Sequence, residues 1–259
     1  MLRGYVLHAR PYRESSMLLN LLVDGLGRVD AVARVGSGKR SIKSIVQPFQ
    51  PLLFQLSGRS DLRTLTQIES ASPAVPLSGD ALYAAMYLNE LLVRVLGNHQ
   101  SGEALFFSYH QSLLALAKGF EQTTLRYFEL RLLSELGCMP SLVKDADGAD
   151  IQADGCYRFI PEQGFIPFIG DAKRQEALPG STLLALAENR LQQEDWQAAK
   201  VLTRRLLRPL LGDKPLLSRQ LFARRGGNLP RAPQSRPVEE RNELFSPLFS
   251  NAAVTMGRE

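Results

Sequence analysis

The side chains with the most evident chemical potential in this chain are cations. Residues 1–70 hold ten Lys/Arg (Arg3, Arg10, Arg13, Arg28, Arg34, Lys39, Arg40, Lys43, Arg59, Arg63) against five Asp/Glu. The formal net charge is +5, so this stretch carries the whole excess and the rest of the chain is neutral. A basic excess confined to one segment suits a polyanion, because Lys and Arg on phosphates release counterions. A well-solvated basic surface is the alternative. Arg10, Arg13, Arg34, Lys39, Arg40, Lys43, Arg59 and Arg63 are the candidates for phosphate contact. Tyr12, between Arg10 and Arg13, is the candidate ring for stacking on bases. Phe49 and Phe54 have the same chemistry, but a place in an apolar core is preferred for both.

A second basic stretch runs from Lys200 to Arg225, with eight Lys/Arg and only Asp213 against them. Lys200, Arg204 and Arg208 stand at i, i+4 and i+8, one stripe of a helix. Val201, Leu202, Leu206, Leu207, Leu210 and Leu211 lie beside them. A cationic stripe next to apolar surface suits an acidic peptide with a hydrophobic end. The alternative is a solvated helix face paired with acids elsewhere.

Catalytic patterns are missing. Gly36-Ser37-Gly38-Lys39 lacks the first glycine and the following Ser/Thr and helix of a phosphate-cradling loop. No dinucleotide fingerprint, zinc-protease motif or nucleophile elbow occurs. His8, His99 and His110 are isolated and read as structural. Cys138 and Cys156 cannot supply the four ligands of a structural zinc. Asp145, Asp147, Asp150 and Asp154 invite a magnesium-dependent nuclease, but their spacing is wrong for a calcium loop and a solvated loop is preferred. The expectation is no enzyme, no cofactor and no metal.

Those residues need elements to hold them. With 259 residues, 44% hydrophobic and 22% charged, the composition is that of a soluble globular chain of one or two domains. No apolar run approaches the roughly 20 residues of a membrane span, and the N-terminus lacks the features of a signal peptide. A cytoplasmic protein is expected, with reduced cysteines. Alternation marks strands at about 4–10, 16–23, 27–34, 49–56 and 62–68. Five short strands fit an OB (oligonucleotide/oligosaccharide-binding) barrel, with an SH3-like barrel as rival. The Gly- and base-rich segment 35–44 reads as a loop between strands three and four. After Ser72–Asp80 the period changes from two to 3.6, with Asp80 as expected N-cap. Helices are expected at about 80–96, 101–118, 122–136, 181–192, 195–210 and 216–224, with Gly97 closing the first and Gly137 and Gly212 as C-caps of later ones. A hairpin insertion is expected at about 138–179, with strands at 156–160 and 164–169. The segment after 226 has the composition of a disordered tail. The domains expected are 1–76, an OB-fold DNA-binding domain, and 77–226, a helical domain with the insertion, followed by the 227–259 tail.

Several short pieces, in order, carry a resemblance. They are Val6-Leu7-His8-Ala9-Arg10-Pro11-Tyr12 with Glu14-Ser15-Ser16; Gly27-Arg28-Val29; Gln47-Pro48-Phe49-Gln50-Pro51-Leu52; Tyr87-Leu88-Asn89-Glu90-Leu91-Leu92; Arg126-Tyr127-Phe128-Glu129-Leu130; and Gly212 through Arg219. Over about residues 1–225 the chain resembles the RecO family. That resemblance implies an α+β architecture, an N-terminal OB barrel followed by a mostly helical domain, and no catalytic activity. It implies binding of single- and double-stranded DNA and annealing of complementary strands. It also implies RecR as partner, docking of the acidic C-terminal tail of single-stranded-DNA-binding protein (SSB), and loading of RecA in the RecF pathway. For that tail, Arg126, amid Leu125, Phe128 and Leu132, joins Lys200, Arg204 and Arg208. Some relatives carry a four-cysteine zinc module in the insertion; only Cys138 and Cys156 stand here, so no metal is expected. A monomer is expected. A DNA-binding accessory factor of replication or transcription is the alternative function.

Overall fold

The alternation in residues 1–70 closes into a barrel. In a computed structural model, which describes residues 1–36, 41–98, 103–168 and 177–223, five strands form it. They are β1 (Leu2–Tyr12), β2 (Ser16–Val23), β3 (Gly27–Arg34), β4 (Leu52–Ser57) and β5 (Leu62–Ser70), in the closed order β1-β2-β3-β5-β4. β3 and β5 are parallel and the other pairs antiparallel. That Greek-key order is the OB arrangement, which decides against the SH3-like rival. Every second residue of β3 (Val29, Ala31, Ala33) enters the core with Val6, Leu19, Leu21, Val23, Leu52, Phe54 and Leu65. Burying each large side chain there contributes about 1.5–3 kcal/mol. Gly4 is required by close approach: a Cβ on it would stand 2.6 Å from the Leu22 carbonyl oxygen and 2.7 Å from the Phe54 ring.

Strand four begins later than expected. Phe49 precedes it in a left-handed turn (φ 64°) and is buried, so Phe49 and Phe54 are both interior. β1 extends to Tyr12, beyond the expected end at Arg10.

The helices are α1 (Gly79–Val95), α2 (Glu103–Lys118), α3 (Gln122–Glu135), α4 (Gly180–Ala187), α5 (Trp196–Leu211) and α6 (Ser218–Ala223). Asp80 sits in the first turn of α1, not at its cap, which is Ser78; Leu96, not Gly97, is the C-cap. Gly137 (φ 67°) does end α3, with Cys138 N–H bonded to the Leu133 carbonyl and Gly137 N–H to that of Ser134. α4 stops at Ala187, shorter than the periodicity implied. The expected hairpin is present, β6 (Cys156–Ile160) paired antiparallel with β7 (Gly164–Pro167), and a third short strand, β8 (Leu178–Pro179), adds to the other edge of β6. Lys39, Arg40, His99, Arg224, Arg225 and the 227–259 tail lie outside the described residues.

Met1–Ala223 is one compact unit. Arg28 of β3 donates to the Val93 and Leu96 carbonyls at the end of α1, where unpaired carbonyls attract a cation. Tyr5 of β1 and His110 of α2 share a buried hydrogen bond of 2.5 Å. Burial, then the charge of Arg3, lowers the His110 pKa below its ordinary 6.5. The folded state therefore favours neutral His110, and the unfolded chain binds the extra proton first. This contribution is complete above about pH 6.5 and is lost as pH falls from there towards the folded pKa. We predict that the urea midpoint falls between pH 7.5 and 5.5, and that His110→Gln narrows this fall. An equal fall in both proteins would contradict it.

Candidate nucleic-acid interface and peptide site

Residues directly opposite on neighbouring strands share a face, so the register places each cation. On the outer face one row runs Arg10, Leu18, Val32, Thr64, Ser57, across β1, β2, β3, β5 and β4. Four inter-strand gaps of about 4.8 Å make it roughly 19 Å long. The row beside it is Tyr12, Ser16, Arg34. Arg10 and Arg34 are exposed, and Leu18 and Val32 are half-buried between them. Arg13, in the β1–β2 turn with φ 53°, places its guanidinium 5.1 Å from the Tyr12 ring centroid. The base of the 35–44 loop abuts this end: Val35 N–H bonds to the Ser15 carbonyl and Ile42 N–H to that of Val35. Lys43 follows in a short 3₁₀ turn, Ile42–Ser44, and is exposed. The arrangement is a narrow apolar strip with a ring at one end and cations along its border, suited to bases below and phosphates at the rim.

On the next row Asn20 donates to Asp30, which also pairs with Arg28 at 3.0 Å, so that carboxylate is already engaged, while Glu14 is exposed in the β1–β2 turn. Two of the expected phosphate ligands lie elsewhere. Arg63 is opposite Ala31, an inward position, and its guanidinium turns to the Gly58 carbonyl; it does not belong to the outer face. Arg59 is exposed on the β4–β5 turn, away from the Arg10 end, because β5 joins β3 at Asp30 rather than at Arg34.

The second site is built by four helices. Arg126 of α3 is buried, not on the surface, and donates Nη2 to Glu129 Oε1 at 2.7 Å. Tyr87 of α1 donates its hydroxyl to the same oxygen at 2.5 Å. Arg219 of α6 lies over the Tyr87 ring, 5.6 Å from its centroid. Lys200 and Arg204 of α5 complete the group. The Lys200 pKa is lowered by partial burial and then by the charges of Arg204 and Arg126. That of Arg204 is lowered by burial and then by Arg219 and Arg126. Four cations thus surround one fully buried carboxylate. Arg126 Nε and Nη1 and Glu129 Oε2 have no hydrogen-bond partner. Arg204 is exposed and Lys200 and Arg219 are half-exposed beside that buried pair, so their donors face the outside. Arg208 stands exposed one turn further along α5. Sequence reasoning counted Arg219 in the second basic stretch without placing it at this site, and it did not point to Tyr87 or Glu129. The available signal was Glu129, an acid three residues after Arg126 on the apolar face of Leu125, Phe128 and Leu132.

The acidic cluster does other work. Asp145 Oδ1 accepts from the N–H groups of Asp147 and Ala149 and closes its own turn, and Asp150 pairs with Lys144 at 2.8 Å. No group of three or more potential metal ligands comes together among the described residues. No described helix is long and apolar enough to cross a membrane.

A closed OB barrel with a cation-bordered outer strip, followed by a helical part with a cluster of cations, is the architecture of an OB-fold class of nucleic-acid-binding proteins. Comparison with known proteins gives the family. Residues 1–74 match the family model for recombination protein O, N terminal, and residues 76–220 that for recombination protein O, C terminal. The chain is 42% identical over 224 residues to the DNA repair protein RecO of Alteromonas mediterranea, covering 85% of this chain and 96% of the relative. It is 45% identical to that of Pseudoalteromonas atlantica (85% and 93%) and 43% to that of Yersinia pestis (85% and 92%). The chain belongs to the RecO family.

Proposed function

We propose that this chain is a recombination mediator in DNA repair that works by binding and not by catalysis. Residues 1–76 act as the DNA-binding domain and 77–226 as the partner domain. The barrel face takes single- and double-stranded DNA and supports annealing of complementary strands. The cationic pocket takes the acidic tail of SSB, and together with RecR the protein helps RecA onto SSB-coated strands. A monomeric, cytoplasmic, nucleoid-associated protein without cofactor goes with this reading.

The observation that carries it is the cluster of Lys200, Arg204 and Arg219, exposed or half-exposed beside the buried Arg126–Glu129 pair, four cations to one carboxylate. Such a surplus of donors stabilises an acidic chain end better than it stabilises the empty protein. The test is fluorescence anisotropy of a labelled SSB-tail peptide. The wild type is expected to bind with an affinity that falls with salt, and Arg204→Glu to weaken binding at least about tenfold, since close charge pairs at interfaces contribute roughly 1.5 kcal/mol or more. Equal binding by both proteins would remove the pocket from this reading, and no binding by either would remove the mediator role.

A further inference from the structure

We propose that Asn89, on helix α1, is a positioning residue for the nucleic-acid face: it holds the β1 bulge that turns Arg10 and Tyr12 outward. This rests on reading that face as the DNA interface. The register shows the bulge directly. Val6 is opposite Leu21 and His8 is opposite Asn20, so β1 advances two residues while β2 advances one. Leu7 is the extra residue. Before it, Leu2 and Val6 face the barrel core; after it, Ala9 does. The inward parity has changed from even to odd, as a bulge dictates. His8, Arg10 and Tyr12 consequently point outward. Unbroken alternation from Val6 would carry all three to the interior.

Leu7 has no residue opposite it on β2, and it is buried outside the barrel core. Its carbonyl accepts from Asn89 Nδ2 at 3.0 Å. Asn89 is itself buried, and its Oδ1 accepts from the Tyr109 hydroxyl at 2.6 Å. Tyr109 is fully enclosed in α2. A chain of hydrogen bonds thus runs from α2 through α1 to the bulge of β1. The primary amide offers the donor for Leu7 and the acceptor for Tyr109 at once: Leu has neither, and an Asp carboxylate would present an oxygen to the carbonyl.

The test reads side-chain direction along β1. In a Cys138→Ser/Cys156→Ser background, Ala9→Cys and Arg10→Cys are labelled with a maleimide, with and without Asn89→Leu. With Asn89 present, position 10 is expected to react at least about tenfold faster than position 9. In Asn89→Leu that ratio falls towards one. In the otherwise native chain, Asn89→Leu lowers single-stranded oligonucleotide affinity about tenfold and makes the salt slope shallower by about 0.7 for each phosphate no longer neutralised. An unchanged ratio overturns the proposal. So does a changed ratio with unchanged affinity and slope, which confines Asn89 to a structural role. A wild type without salt-dependent binding would sink the interface reading itself, and the role of Asn89 with it. Should Asn89→Leu fail to fold, Tyr109→Phe, which frees only the amide oxygen, is expected to lower the ratio about threefold; no change there overturns the proposal equally.

Discussion

Reversing Arg10, Arg13 and Arg34 to Glu together is expected to lower single-stranded oligonucleotide affinity at least about 100-fold at low salt. Each phosphate left without its cation removes roughly 0.7 from the salt slope on single strands, so the variant's slope is shallower by about two. The three residues matter jointly because register and turn geometry gather them at one end of the barrel. Arg63→Glu serves as the internal comparison: an inward-starting side chain tied to Gly58 should change affinity far less. Equal losses from Arg63→Glu and Arg34→Glu in filter binding would show that the outer face is wrongly drawn.

The second large effect is on stability. Glu129→Ala is expected to destabilise the protein by about 3–5 kcal/mol, because it leaves Arg126 buried without its counter-charge beside Lys200, Arg204 and Arg219. The Tyr87 hydroxyl loses its acceptor in the same change. In a unit of this size that corresponds to a fall in Tm of roughly 10 °C. Glu129→Ala/Arg126→Leu should recover part of the loss, since the orphaned charge is then absent. A double variant no more stable than the single one, measured by thermal unfolding, would mean that Glu129 does not act as the partner of Arg126.

Much of this was legible in the sequence. Strict alternation in Gly27–Arg34 needs no tertiary information, because each inward residue is apolar and each outward one is either polar or half-exposed. The period change after Asp80 is equally local. The chemistry of both sites was visible as charge: Arg10, Arg13, Arg34 and Lys43 in one segment, Lys200 and Arg204 in another. Long-range features escaped. Arg63 carries the same charge as Arg34, and only the parallel register with β3 shows that it starts on the inner side. The pocket partners Tyr87 and Arg219 come from helices at opposite ends of the helical region, which no spacing rule connects. The bulge at Leu7 depends on Asn89, more than eighty residues away in the chain. Phe49 looked like the start of a strand by its type, yet the chain turns there through a left-handed conformation that residue type does not announce.

If the barrel holds DNA through phosphates at its outer face, the affinity of the wild-type chain for a labelled single-stranded oligonucleotide must depend on salt, and that dependence is the most direct test. With some four to six cations at the rim, the plot of log K against log salt is expected to fall with a slope of about −3 to −4. A slope indistinguishable from zero would contradict a phosphate-binding face, because no rearrangement of Arg10, Arg13, Arg34 and Lys43 binds DNA without neutralising phosphates.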